Sequence, residues 1–209
     1  MSILAEIAEL VQKGKAQEVS DLVSKALADG TPPQQVLDEG LLKGMGELGV
    51  RFKNNEVFVP EVLIAARALN KGTETLKAQL VGGDIKAIGK VIVATVAGDL
   101  HDIGKNLVKL MLEGAGFEVI DLGTDVPPDK VVEAVKEHNP EVVALSALLT
   151  TTMAAQADVI KALEAAGIRD KVKVIVGGAP ITEAFAKEIG ADGYSEDASG
   201  AAEAAKSFL

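Results

Sequence analysis

The chain contains no cysteine among its 209 residues. That excludes disulfides, thiolate metal sites and cysteine nucleophiles. Aromatic residues make up only 3%, too few for a surface that stacks exposed bases. Basic charge is also short: 21 Lys and Arg stand against 31 Asp and Glu, for a net charge of −10. Such a surface repels phosphate backbones and argues against nucleic acid as a partner. No window approaches the roughly 18 apolar residues of a membrane span. The start, Met1 to Glu6, lacks the basic region and apolar stretch of a signal peptide. The expectation is a cytoplasmic protein with no membrane contact.

What is abundant is aliphatic. Hydrophobic residues reach 48%, and Ala, Val, Leu and Ile supply most of them. Residues 1–88 carry helical periodicity and almost no strand signal. Ser2 is placed to cap a first helix through Ile3, Leu4, Ile7, Leu10 and Val11, which Gly14 ends. A second runs through Val19, Leu22, Val23 and Leu27 to Asp29-Gly30. Thr31, followed by Pro32 and Pro33, is placed to cap a third helix through Leu48. Asn54-Asn55 breaks the pattern, and Pro60 opens a fourth helix through Leu76. Four helices with short loops predict a small bundle. Val81-Gly82-Gly83-Asp84 reads as its exit, and 82–90 as a hinge.

From residue 89 the pattern alternates. Strand-like runs fall at 91–96, 117–122, 142–146, 172–176 and, more weakly, 192–195. Helical runs fall at 103–114, 130–138, 153–165, 182–189 and 198–208. Five such β/α repeats predict a doubly wound parallel five-stranded sheet of the Rossmann or flavodoxin-like kind. The expected organisation is therefore α/β, with a four-helix domain at 1–88 and a sheet domain at 89–209.

Ligands of open α/β sheets bind beyond the carboxyl ends of the strands. The first strand ends in Gly98-Asp99-Leu100-His101-Asp102-Ile103-Gly104. One histidine cannot hold a bare zinc ion, whose sites want three or four protein ligands. It suffices for a metal already held by a macrocycle, as an axial ligand does. A carboxylate two residues earlier suits the role of orienting the imidazole and raising its basicity. The third strand ends in Ser146-Ala147-Leu148-Leu149-Thr150-Thr151-Thr152, the fourth in Gly177-Gly178, and the fifth leads to Glu196-Asp197-Ala198. Taken singly, the glycine pair reads as a turn, Ser146 as a cap, and Phe52 and Phe58 as bundle core. His138, at a helix end, is assigned no function.

Asp99-x-His101-x-x-Gly104, Ser146-x-Leu148 and Gly177-Gly178 occur in order, each at a strand end. Together they resemble the cobalamin-binding signature of corrinoid proteins and of the corrinoid module of methionine synthase. The helical region, with Phe52 and Phe58-Val59-Pro60-Glu61, is similar to the helical cap of methyl-carrying members. The resemblance implies cobalamin as cofactor, with His101 as the lower axial ligand to cobalt in place of the dimethylbenzimidazole base. It implies that the loop Gly98 to Gly104, with Ser146, Leu148, Thr150, Gly177, Gly178 and Ala198, contacts the cofactor and its nucleotide tail. Phe52 and Val59 match residues that shield the upper face. The family pattern extends the His–Asp pair to a serine. Thr152 occupies the matching position here, and the neighbouring Thr151 is the alternative.

The implied function is that of a corrinoid methyl carrier, similar to those of methanol, methylamine and methoxyaromatic demethylation. It takes a methyl group on cobalt(I) from a substrate-specific methyltransferase. It gives the group up from methyl-cobalt(III) to a second methyltransferase, whose acceptor is tetrahydrofolate or coenzyme M. A reductive activase is a further implied partner, and the chain is not expected to turn over alone. The alternatives are the cobalamin-binding subunit of an adenosylcobalamin-dependent mutase, which lacks a helical cap, and a cobalamin-dependent regulator, which needs a basic DNA-binding region. A phospho-receiver domain wants an aspartate where Ser146 stands.

Overall fold

The computed structural model describes residues 2–79 and 86–209. The proposed exit at Val81–Asp84 and part of the 82–90 hinge therefore lie outside the described residues. The chain divides into two compact units, a helical one and a sheet unit made of Ile88–Glu113 and Phe117–Leu209. Among the described residues, no helix is long and apolar enough to cross a membrane.

The helical unit begins with α1 (Ile3–Gln12), where the Ser2 hydroxyl accepts from the Ala5 N–H at 3.3 Å. Gly14, at φ +70°, comes next in the left-handed conformation that ends helices. The second helix is α2 (Ala16–Ala28). Thr31 does not cap the third helical run, which starts one residue too late for it, and its N–H donates to the Ala26 carbonyl at 2.9 Å at the exit of α2. Pro32 takes the cap position without a side-chain bond. The third run passes from α3 (Pro33–Gln35) through a π-helical stretch, Val36–Leu42, into α4 (Lys43–Lys53). Apolar spacing carries no sign of a wider turn, so this π segment is invisible in the sequence. The last helix is α5 (Val59–Gln79), with the Glu61 carboxylate accepting from the Phe58 N–H at 3.2 Å. Ile7, Val11, Val19, Leu41, Met45, Leu48 and Leu76 fill the interior.

The sheet unit contains β1 (Lys90–Thr95), β2 (Glu118–Asp121), β3 (Val142–Ser146), β4 (Lys173–Gly177) and β5 (Gly193–Tyr194). Its helices are α6 (Ile103–Gly114), α7 (Pro128–His138), α8 (Met153–Ala165), α9 (Glu183–Glu188) and α10 (Ala198–Ser207). All pairings are parallel, in the order β2-β1-β3-β4-β5. The expected α/β architecture is thus the observed one. Its strand order reverses between β1 and β3, and there the loops after neighbouring strands diverge to open a crevice. Register aligns Thr95 with Ser146 and Ser146 with Gly177, so three strand ends finish level. The central strands are buried along nearly their whole length, which explains their unbroken Val, Ile and Ala content. At the β5 side, the Asp192 carboxylate gathers the Val174 N–H, Arg169 and Lys173 at 2.9, 2.7 and 3.0 Å. Burial raises its pKa, but these donors outweigh that and hold the carboxyl below its usual range.

Two glycines of α4 make opposite predictions. A Cβ on Gly44 would stand 2.5 Å from the Ala8 carbonyl oxygen, whereas one on Gly46 would meet nothing within 4 Å. Gly46→Ala is expected to raise stability by about 0.5–1 kcal/mol through helix propensity alone. Gly44→Ala is expected to lower it by about 1–3 kcal/mol, because α1 must move away. Urea unfolding followed by circular dichroism separates the two.

Candidate cofactor site

The site is built around a carboxylate without access to solvent. Asp99 lies in the loop between β1 and α6, and its side chain is 0% exposed. Its Oδ1 accepts from the His101 N–H at 3.0 Å and from His101 Nδ1 at 2.7 Å. Its Oδ2 accepts from the Leu148 N–H at 2.7 Å and from the Thr152 hydroxyl at 2.7 Å. The Leu149 N–H points to the same oxygen from 3.4 Å. Burial acts to raise this carboxyl's pKa. The hydrogen bonds from Thr152, Leu148 and His101 together outweigh it and hold Asp99 well below the usual carboxylate range.

An ionised Asp99 settles the histidine tautomer. A carboxylate only accepts, so Nδ1 carries the proton of this bond, and in the neutral ring the lone pair is on Nε2. The His101 side chain is half exposed, in contrast to the buried Asp99 beneath it. Leu100 and Ile103, each 74% exposed, flank it, and Leu148 and Leu149 are exposed on the next loop. An imidazole with an available lone pair thus stands among apolar side chains that solvent alone would not favour.

Thr152 immediately precedes α8 and is buried, whereas Thr151 is exposed. Thr152 is therefore the hydroxyl that meets Asp99. It also lies 3.0 Å from the Leu149 carbonyl, but the charged oxygen at 2.7 Å is the stronger acceptor. Asp102 and Gly104 are exposed with Gly98, and Thr150 is exposed beside Leu149. Ser146 ends β3 and Gly177 ends β4, paired in register. Gly178 has φ +128°, and a Cβ there would collide with the Ala147 carbonyl oxygen, so only glycine fits. Ala198 opens α10 behind the Asp197 cap, whose carboxylate accepts from the Gly200 N–H at 2.7 Å. Phe52 and Val59 belong to the helical unit, on α4 and at the start of α5, both half-buried. His138 sits at the end of α7, 4.0 Å from Glu137.

Sequence reasoning overlooked three groups. Gln156 of α8 is fully buried and donates from Nε2 to the Leu145 and Gly177 carbonyls, at 3.0 and 3.1 Å. Its Oε1 has no hydrogen-bond partner among the described residues. The signal was available: Gln156 stands in a helical stripe with Val159, Ile160 and Leu163, an amide where an aliphatic belongs. Lys105 is buried and pairs with Asp121 at 2.6 Å and Asn106 at 2.8 Å, tying α6 to β2. Thr95, the last residue of β1, donates its hydroxyl to the His101 carbonyl at 2.9 Å. The Lys105–Asp121 pair is not readable without knowing that β2 lies beside β1, and the Thr95 bond, six residues long, depends on the turn of the loop between Thr95 and His101.

Comparison with known proteins places these features in a family. A family model described as a B12 binding domain matches residues 89–203, and a second of the same description matches residues 3–77. Dimethylamine corrinoid protein 3 of Methanosarcina acetivorans is 45% identical over 99% of this chain and 97% of its own length. The methanol:cobalamin methyltransferase complex MtaBC from Methanosarcina barkeri contains a chain that superposes with a TM-score of 0.89 at 32% identity. That match covers 98% of this chain and 78% of the other. A cobalamin-binding protein from Desulfitobacterium hafniense superposes with a TM-score of 0.82 at 35% identity, covering 99% and 98% of the two chains.

The buried carboxylate makes a pH-dependent prediction. Its lowered pKa means that Asp99 contributes stability in full above its ordinary value of 3.8 and loses it as pH falls through the folded value below that. Thr152→Val is expected to cost about 1–3 kcal/mol at pH 7, since one carboxylate oxygen loses a donor, and Thr152→Ser to cost less than half of that. The Val deficit should stay constant through the ordinary carboxylate range, because protonation of the unfolded chain is common to both proteins, and should shrink only where pH falls through the lowered pKa of the folded carboxyl. Urea unfolding of each variant at pH 7 and at pH 5 checks this, with equal deficits expected at the two.

Proposed function

This chain belongs to the B12-binding corrinoid proteins that carry methyl groups in methyltransferase systems, and from that premise we propose which residues serve the cofactor and which enzymes the chain serves. His101 Nε2 is the protein ligand to the corrin cobalt. The observation that carries this is the 2.7 Å bond from Nδ1 to an ionised, fully buried Asp99, which leaves Nε2 as the sole acceptor of a half-exposed ring.

The residues present fit the group. Among the described residues, no cluster of three or more His, Cys, Asp or Glu side chains is placed to hold a bare metal ion. A lone imidazole suits a metal whose equatorial positions a macrocycle fills. The exposed Leu100, Ile103, Leu148 and Leu149 suit the apolar body of such a ring. Ser146, Gly177 and Gly178, at strand ends with little side-chain bulk, suit the nucleotide tail. Ala198 and Thr150 are assigned to the same tail and ring edge, Gly104 to the slot beside His101, and Phe52 and Val59 to the shield of the methyl-bearing face. The unpartnered Gln156 Oε1, next to the tips of β3 and β4, fits a polar group arriving there.

When bound, the cobalt supplies the nucleophile that takes up the methyl group and the bond that carries it. The chain's own part is to hold the ligand. Asp99 keeps the Nδ1 proton on His101, and Thr152 keeps Asp99 in place, so the basicity of Nε2 is set by a relay of three side chains. The donor-side partner is a methylamine-class methyltransferase, supported by the di- and trimethylamine corrinoid proteins that match this chain at 42–45% identity over 94–99% of its length. The acceptor-side partner is a second methyltransferase that passes the group to coenzyme M or tetrahydrofolate, with a reductive activase restoring the active cofactor.

Two measurements test this. Cobalamin-loaded wild type is expected to show the visible spectrum of an imidazole-ligated cobalt, and His101→Ala to lose it; an unchanged spectrum removes His101 from the cobalt. Asp99→Asn is expected to weaken cobalamin binding about 10–100-fold, the usual effect of removing an outer-shell partner. Methyl transfer to the loaded protein should be fastest with methylamine methyltransferases. A faster reaction with a methanol or methoxyaromatic enzyme would reassign the donor.

A further inference from the structure

The loop between β2 and α7 contains no proposed cofactor contact, yet it is hydrogen-bonded to the end of β1 and to the first part of the His101 loop. Thr95 N–H donates to the Gly123 carbonyl at 3.0 Å, and Val126 N–H returns to the Thr95 carbonyl at 3.1 Å. Between them stands Asp125. Its N–H donates to the Asp99 carbonyl at 2.9 Å, and its Oδ1 accepts from the Gly98 N–H at 2.7 Å. A single residue thus grips both ends of the Gly98-Asp99 pair. The Asp99 N–H is held in turn by the Val96 carbonyl at 3.1 Å. With these three backbone groups fixed, the direction of the Asp99 carboxylate is fixed too.

The backbone of Asp125 points to the same conclusion. Its φ is +52°, a left-handed conformation that side chains other than Asn and Asp rarely adopt and that glycine adopts freely. Gly123, two residues earlier and at φ +86°, is the residue type such a position ordinarily takes. An aspartate that accepts this strain in place of glycine has a use for its side chain, and Oδ1 on Gly98 is that use. Gly98 itself lies at φ +80°, so the gripped segment is a glycine turn with little stiffness of its own.

We infer that Asp125 is a positioning residue for the cobalt ligand: it sets the Asp99–His101 pair from the neighbouring loop without touching the imidazole. The inference rests on the reading of His101 as the ligand, and it makes a claim about the apo protein that stands apart from that reading. Asp125→Gly relieves the backbone strain and deletes the acceptor. Asp125→Asn keeps a carbonyl oxygen at the same place and tolerates the same φ. A role confined to loop stability predicts no harm from glycine, whereas a role in positioning predicts harm from glycine and rescue by asparagine.

The test uses the full chain. In apo protein, proton NMR with ring-labelled histidine reads the downfield His101 Nδ1–H resonance produced by a short bond to Asp99. In protein loaded with cobalamin, the visible spectrum at fixed pH 7 reads the imidazole-ligated fraction, and a titration reads cofactor affinity. Asp125→Gly is expected to shift or broaden the Nδ1–H resonance, to reduce the ligated fraction, and to weaken cobalamin binding about tenfold, as outer-shell losses do. Asp125→Asn is expected to restore all three. Asp125→Gly with a wild-type resonance and ligated fraction, whatever its melting temperature, overturns the inference, as does failure of Asp125→Asn to rescue. His101→Ala run alongside separates the two claims. If it leaves the loaded spectrum unchanged, the ligand assignment fails, and the apo resonance alone decides Asp125.

Discussion

A buried carboxylate that must stay ionised is the constraint around which the sheet unit is arranged. Asp99 has no solvent to stabilise its charge, so the protein supplies donors instead. They come from its own loop through His101, from the loop after β3 through Leu148, and from the start of α8 through Thr152. Each donor has to arrive within hydrogen-bond distance at the same moment. That requirement couples the ends of β1 and β3, the two strands on either side of the topological reversal. Removing any one donor leaves the buried charge with fewer partners and no solvent to replace the one lost, so the donors depend on one another.

The consequences spread outward from that point. Because Asp99 is ionised, His101 has one tautomer and one available nitrogen. Because Asp99 is buried directly beneath it, His101 is presented half exposed among apolar side chains. Thr95 and Asp125 then hold the loop backbone from below and from the side, and Lys105 with Asp121 fixes the first turn of α6 against β2. The same architecture explains the glycines at the end of β4, where the backbone of Gly178 packs against the Ala147 carbonyl and no side chain fits.

The legibility of this arrangement in the sequence varies with the range of the interaction. The β/α alternation is plain, because strands buried on both faces read as unbroken aliphatic runs. The α6 and α8 boundaries, at Ile103–Gly114 and Met153–Ala165, agree with periodicity. The π-helical stretch at Val36–Leu42 is not legible, because an added residue per turn leaves the buried set apolar. Thr31 reads as the cap of the third helix, but that helix begins behind Pro32, one residue later than the composition of the turn suggests, and the Thr31 N–H belongs to the exit of α2. His101 and Asp99 are legible because two residues of local spacing carry their chemistry. Gln156 is written into an apolar stripe as an exception and still passes unnoticed.

By itself the sequence determined the fold class, the loop that bears the histidine and the family to which the chain belongs, since each of these depends on local pattern or on motifs short enough to survive as strings. Only the tertiary structure decided that Thr152 rather than Thr151 meets Asp99, that Gln156 bridges two strand tips, and that Asp125 reaches Gly98 across a loop. Those pairings join residues 53, 21 and 27 positions apart, among others, and depend on which strands lie side by side and in what register. Strand order is settled by packing of the whole sheet, and no stretch of chain holds that information alone.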